Sequence, residues 1–89
     1  MNEQTTSYAK TVREWIATST GVSDFADDLN IFEAGIVNSL FIIQLMTYLE
    51  RTFQIKITME DLSMDNFASI NNIATFVDTK KEVAVIAGK

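Results

Sequence analysis

Ser39 is the residue in this chain best placed to do chemistry. It lies in the run Gly35-Ile36-Val37-Asn38-Ser39-Leu40, at the expected start of a helix. A serine hydroxyl there can do two things. It can accept a hydrogen bond from an amide of the first turn, which is the common structural use of the residue. It can also bear a phosphate ester, because the free N–H groups and dipole of a helix N-terminus favour an anion. Nucleophilic catalysis is a poorer reading. The chain contains neither histidine nor cysteine. A Ser-His-Asp triad, a His-ligated zinc site, a thiolate site and a disulfide framework are all excluded. The acids after Asp24 invite a calcium-loop reading. Counted from Asp24, however, the third position is Ala26 and the twelfth is Gly35, where such a loop needs an acid and a glutamate. Lysine and carboxylate chemistry stays formally open, but a helical chain this short has little room for a deep pocket. No catalytic residue and no metal ligand is therefore expected.

The elements around Ser39 follow from the apolar spacing. A first helix is expected over about Thr5 to Thr20, with Tyr8, Val12, Trp15 and Ile16 on one face and Lys10, Arg13 and Glu14 opposite. Gly21 is a natural stop. Residues 22–37 then make a long connection. A loop of that length is usually functional or well packed, and Phe25, Leu29, Ile31 and Phe32 are its expected anchors. Asn38 suits the N-cap of a second helix running from Asn38 or Ser39 to Phe53, with Gly35 ahead of it permitting a tight approach. Thr58 to Asp61 resembles a capping box that opens a short third helix to about Met64. A fourth runs from Ser69 to about Lys81, with Ile70, Ile73, Ala74 and Val77 on one face. The apolar tail can either prolong that helix or fray. The expected fold is all-α: a small four-helix bundle with a short third helix and a long first loop. The expected organisation is one domain over residues 1–89, with its core at about 8–80 and a flexible tail at 82–89.

At about 100° per residue, Ile42, Leu45, Met46, Leu49 and Phe53 share one side of the second helix, the expected core. Leu40, Gln44, Thr47 and Arg51 share the opposite side, flanked by Ile43 and Glu50. Ser39 borders this strip. Two aliphatic side chains on an otherwise polar face suggest a docking surface.

The net charge is −5. Between Glu14 and Asp78 the bases are Arg51 and Lys56 alone, set among acids that include Asp24, Asp27, Asp28, Glu33 and Asp65. An acidic middle repels nucleic acid and anionic lipid and favours basic protein partners. No apolar run approaches the roughly 18 residues of a membrane span. The N-terminus lacks the layout of a signal peptide, so a cytoplasmic location is the expectation.

The segment Phe32-Glu33-Ala34-Gly35-Ile36-Val37-Asn38-Ser39-Leu40 resembles the phosphopantetheine attachment region of acyl carrier proteins. In that family a glycine is followed by an Asp-Ser-Leu step opening the second helix. Asp28-Leu29 is similar to the acidic-leucine step of the family's first loop. Leu45, Leu49, Glu50, Phe53 and Ile57 fall where the family keeps its helix core, an acid and the residues closing the helix. The likeness extends over about residues 8–80.

The resemblance implies that Ser39 receives a 4'-phosphopantetheine arm from coenzyme A by way of a phosphopantetheinyl transferase. The arm's thiol then holds acyl groups as thioesters. It implies a monomeric carrier, not itself an enzyme, that serves acyl-loading and acyl-modifying partners such as an acyltransferase or ketosynthase. Docking would fall on Asn38, Leu40, Ile43, Gln44, Thr47, Glu50 and Arg51. This chain departs from the family in having Asn38 where aspartate is commonest, and Gln44 and Arg51 where fatty-acid carriers usually show glutamates. Those departures, with the Ser-Leu-Phe run and Asp65-Asn66-Phe67, resemble stand-alone polyketide or hybrid polyketide/nonribosomal peptide carriers of modified malonyl extender units. A peptidyl or aminoacyl carrier, and an unmodified helical interaction domain, are the competing readings.

Overall fold

The computed structural model describes residues 3–87, with side chains described over 4–82. Four α-helices follow one another: α1 (Glu3–Thr20), α2 (Phe41–Phe53), α3 (Met64–Phe67) and α4 (Ile70–Ala87), with a 3₁₀ turn at Met59–Asp61 between α2 and α3. There is no strand among the described residues. The all-helical bundle with a long first loop is thus the observed architecture.

α1 lies chiefly against α4. Val12 and Ile16 from α1 are fully buried with Ile70, Ile73, Ala74 and Val77 from α4, the faces that the 3.6-residue period picks out. Tyr8 and Trp15 lie half-buried against this core. Trp15 joins α1 to α2: its ring stacks on Tyr48 at 4.4 Å and 11° and meets Phe41 at 5.2 Å. Tyr8 packs edge-on to Phe53 at 5.2 Å. Gly21 ends α1 at φ +77°, a conformation that glycine adopts without steric cost, and its amide bonds the Ala17 carbonyl at 2.8 Å.

The long loop is held from both ends. Ile31 is fully buried and Phe25 and Phe32 are half-buried, as expected of anchors. Leu29 is not an anchor; it remains 36% exposed because the turn at Asp27–Leu29 directs it outward. Much of the hold is polar. Arg13 bonds the Asp27 carboxylate and the Ser23 and Phe25 carbonyls, and its guanidinium lies 4.6 Å from the Phe25 ring centre. Asn71 and Ile31 add backbone bonds, to the Asp27 and Ala68 carbonyls at 3.0 and 2.8 Å.

Three boundaries differ from the expectation. Regular α2 begins at Phe41, since the turn before it has i→i+3 bonds. The Thr58–Asp61 capping box forms, but it opens only the 3₁₀ turn. Leu62, at ψ 82°, breaks the helical path, and Ser63 starts α3 afresh by accepting the Asp65 amide. α4 continues through Ala87, so residues 82–87 are helical rather than a frayed tail. Residues 88–89 of that tail lie outside the described residues.

Candidate functional site

The approach to α2 places Ser39. Gly35 sits at φ +77°, which turns the chain back. The Ile36 and Val37 amides then bond the Ile31 carbonyl, and Val37 is buried. Leu40 holds the N-cap position of regular α2 and makes no side-chain bond there; Asn38 instead caps the turn that leads into it, where both its side-chain oxygen, at 3.2 Å, and its carbonyl, at 3.0 Å, accept the Phe41 N–H. The Ile42 and Ile43 amides bond the Ser39 and Leu40 carbonyls.

Ser39 is exposed, and its hydroxyl has no hydrogen-bond partner among the described residues. The capping role open to it in the sequence belongs to its neighbour. The Phe41, Ile42 and Ile43 amides are already engaged, so an anion at Ser39 is favoured by the helix dipole more than by these donors. No acid stands in the first turn of α2 to oppose it.

The expected strip is present on α2. Leu40 and Ile43 are 73% and 61% exposed, and Asn38, Gln44, Thr47 and Arg51 are exposed as well. Glu50 behaves differently. It is half-buried, and its carboxylate accepts the Ile57 amide at 2.8 Å, tying α2 to the chain that leaves it. Arg51 is therefore the strip's fully exposed charge. The core side of α2 is also rotated from the expectation. Phe41 is buried with Leu45, Leu49 and Phe53, while Ile42 and Met46 are half-buried.

Ile42 and Met46 instead line an apolar groove of about 330 Å³, together with Ser39, Ile43, Leu62, Ser63, Met64 and Phe67. Phe67 is fully buried at this site. The far wall, Leu62 to Met64, went unread in the sequence because a two-residue break separates two turns too short to show a period. The one usable signal was a concentration of large apolar residues, Met59, Leu62 and Met64, without helical spacing.

Behind that wall, Asp61 accepts Lys80 Nζ at 2.7 Å, the Thr58 amide at 2.9 Å and the Thr58 hydroxyl at 3.1 Å. Burial pushes the Asp61 carboxyl up, but the Lys80 bond, the two Thr58 bonds and the Lys80 charge outweigh it and hold the group below its usual value. No cluster of acids able to hold a metal ion occurs among the described residues. No helix there is long and apolar enough to cross a membrane.

A small helical bundle thus holds an exposed serine with an unpartnered hydroxyl at a helix entrance, beside an apolar groove. The family model for the phosphopantetheine attachment site matches residues 10–77. The chain is also 33% identical over 69 residues to a D-alanyl carrier protein of Lactococcus lactis subsp. lactis (strain IL1403), covering 75% of this chain and 87% of that one. The chain belongs to the phosphopantetheine-binding carrier family, whose members bear a covalent 4'-phosphopantetheine group and work with a phosphopantetheinyl transferase and acyl-handling enzymes.

Proposed function

We propose that Ser39 is the attachment point and that residues 1–89 act as one carrier domain, delivering thioester-bound acyl groups to partner enzymes without catalysing bond chemistry. The observation that carries this is the Ser39 hydroxyl itself, exposed and uncommitted while Asn38 does the capping. The residues fit the arm: the first turn of α2 has no acid to repel a phosphodiester, and an apolar groove opens beside the serine. When bound, the arm supplies a thiol that holds acyl groups as thioesters, and a chain without cysteine offers no competing thiol. Asn38 fixes the turn that presents Ser39. Leu40, Ile43, Gln44, Thr47 and Arg51 provide the strip that incoming enzymes read, with Glu50 at its edge bracing α2.

A strip less acidic than the family norm, with Arg51 as its exposed charge, supports a stand-alone carrier in polyketide or hybrid secondary metabolism, with a modified malonyl cargo. A second reading, an aminoacyl cargo, is favoured by the likeness to a D-alanyl carrier protein. Incubation with coenzyme A, magnesium and a broad-specificity transferase should add one phosphopantetheine mass to the wild type and none to Ser39→Ala. An unchanged wild-type mass, with a control carrier modified in the same tube, would remove Ser39 from this role. Intact mass of the protein taken from its own host separates the two cargo readings.

A further inference from the structure

Residues 58–64 run between two grooves. On one side Leu62, Ser63 and Met64 wall the apolar groove at Ser39. On the other, Asp61 lines a second groove, of about 390 Å³, with Asp65, Asn72, Phe76 and Lys80. The segment puts little into the core: no residue of its 3₁₀ turn is buried, Met59 is 82% exposed, and Leu62 and Met64 are 43% and 49% exposed. A stretch with so few buried apolar contacts opens at low free energy unless something else holds it.

What holds it is a set of polar ties, of which the one from Lys80 joins the segment directly to α4. Lys80, on α4, reaches across to the same Asp61 oxygen that takes both Thr58 bonds. Asn72, also on α4, donates to the Asp65 carbonyl at 2.7 Å, and Asn66 donates to the Asp61 carbonyl at 2.9 Å. The Lys80 and Asp61 side chains are each only 20% exposed, against 28% and 49% for the Arg13–Asp27 pair. Solvent screens the Lys80 pair less, so it outweighs an ordinary surface pair.

We infer that residues 58–64 are a lid on the apolar groove and that Lys80–Asp61 is the latch that closes it. Closed, the lid completes the groove beside Ser39. Released, it removes the Leu62–Met64 wall and leaves whatever Ser39 carries facing water. The consequence for cargo rests on the carrier reading of Ser39; the latch itself does not.

Amide hydrogen exchange on the unmodified chain tests the latch. Lys80→Met removes the ammonium and keeps most of the stem. Amides of residues 59–64 should exchange about fivefold faster or more, those of the α1 and α2 core should not change, and Lys80→Arg should restore protection. Asp61→Asn should reproduce the Lys80→Met pattern. Unaltered exchange at 59–64, or an equal rise throughout the chain, overturns the latch. The chain loaded with an octanoyl probe then tests the lid's effect on cargo: hydroxylamine should cleave the thioester faster in Lys80→Met, in proportion to the exchange. Faster exchange with an unchanged cleavage rate overturns the gating of Ser39. A failure to load the probe at all counts against the carrier reading and leaves the exchange result to decide the latch.

Discussion

The Asn38 side chain accepts the Phe41 amide at 3.2 Å, and this one bond settles which of two adjacent polar residues serves the fold. Asn38 caps the turn that leads into α2, and the hydroxyl of Ser39 stays out of the backbone network. Removing the cap should cost about 1 kcal/mol. Asn38→Ala is expected to lower the urea midpoint accordingly. Asn38→Asp should retain the stability, because aspartate caps equally well and its charge suits the helix N-terminus. Ser39→Ala should stay within about 0.5 kcal/mol of wild type. A loss on Ser39→Ala as large as that on Asn38→Ala would reverse the assignment of roles.

Arg13 gathers residues 23–27 by binding two carbonyls and a carboxylate from one guanidinium, with Phe25 against its face. Lysine keeps the charge but lacks the planar fork that reaches three acceptors. Arg13→Lys and Arg13→Met should therefore both destabilise, by about 1–2 kcal/mol after allowance for partial exposure. Denaturant unfolding followed by the fluorescence of Trp15, the chain's single tryptophan, measures this. A fully rescued Arg13→Lys would show that charge alone matters.

Glu50 is expected to matter to the fold through its bond to the Ile57 amide. Glu50→Gln keeps an acceptor and should cost less than about 0.5 kcal/mol, while Glu50→Ala should cost about 1 kcal/mol. If both variants are as stable as wild type and both slow arm transfer, Glu50 belongs to the docking strip instead.

Asp61 gives the acid limb of the stability curve a traceable part. Its carboxyl is held below the usual value in the native state. The stability it contributes is therefore fully present above the unfolded value of about 3.9 and is lost as pH falls through the lower native one. Lys80 from α4 and Thr58 from the turn itself make the group's bonds, and Asp65 lines the same groove. Carbon-13 titration should show the Asp61 carboxyl titrating at higher pH in Lys80→Met, and Asp61→Asn should flatten the stability curve below about pH 4. A titration unchanged by Lys80→Met would mean that Thr58 alone holds the carboxylate.

Much of this molecule is legible without coordinates. The spacing of Val12 and Ile16, and of Ile70, Ile73, Ala74 and Val77, names the buried faces, because a helix repeats over a few residues and its apolar period is a local property. The position of Ser39 at a helix entrance, with Leu40 and Ile43 exposed next to it, is local in the same sense. Even the capping box at Thr58 and Asp61 could be read, since its partners are three residues apart.

Other features depended on approach between segments. Asp61 and Lys80 stand 19 residues apart, and Arg13 lies 14 from Asp27. No periodicity pairs such groups; only the docking of α4 and of the loop does. The same docking turned Phe41 inward against Trp15, left Ile42 and Met46 to line a groove, and drew Glu50 toward Ile57. The sequence by itself determined four helices, their apolar faces and the serine presented at the entrance to α2. Tertiary structure alone decided that Ser39 has a free hydroxyl, a groove beside it and a wall held by Lys80. Each of those depends on which long side chain reaches which distant backbone or charged group, and burial and geometry choose among partners that the chain leaves equivalent.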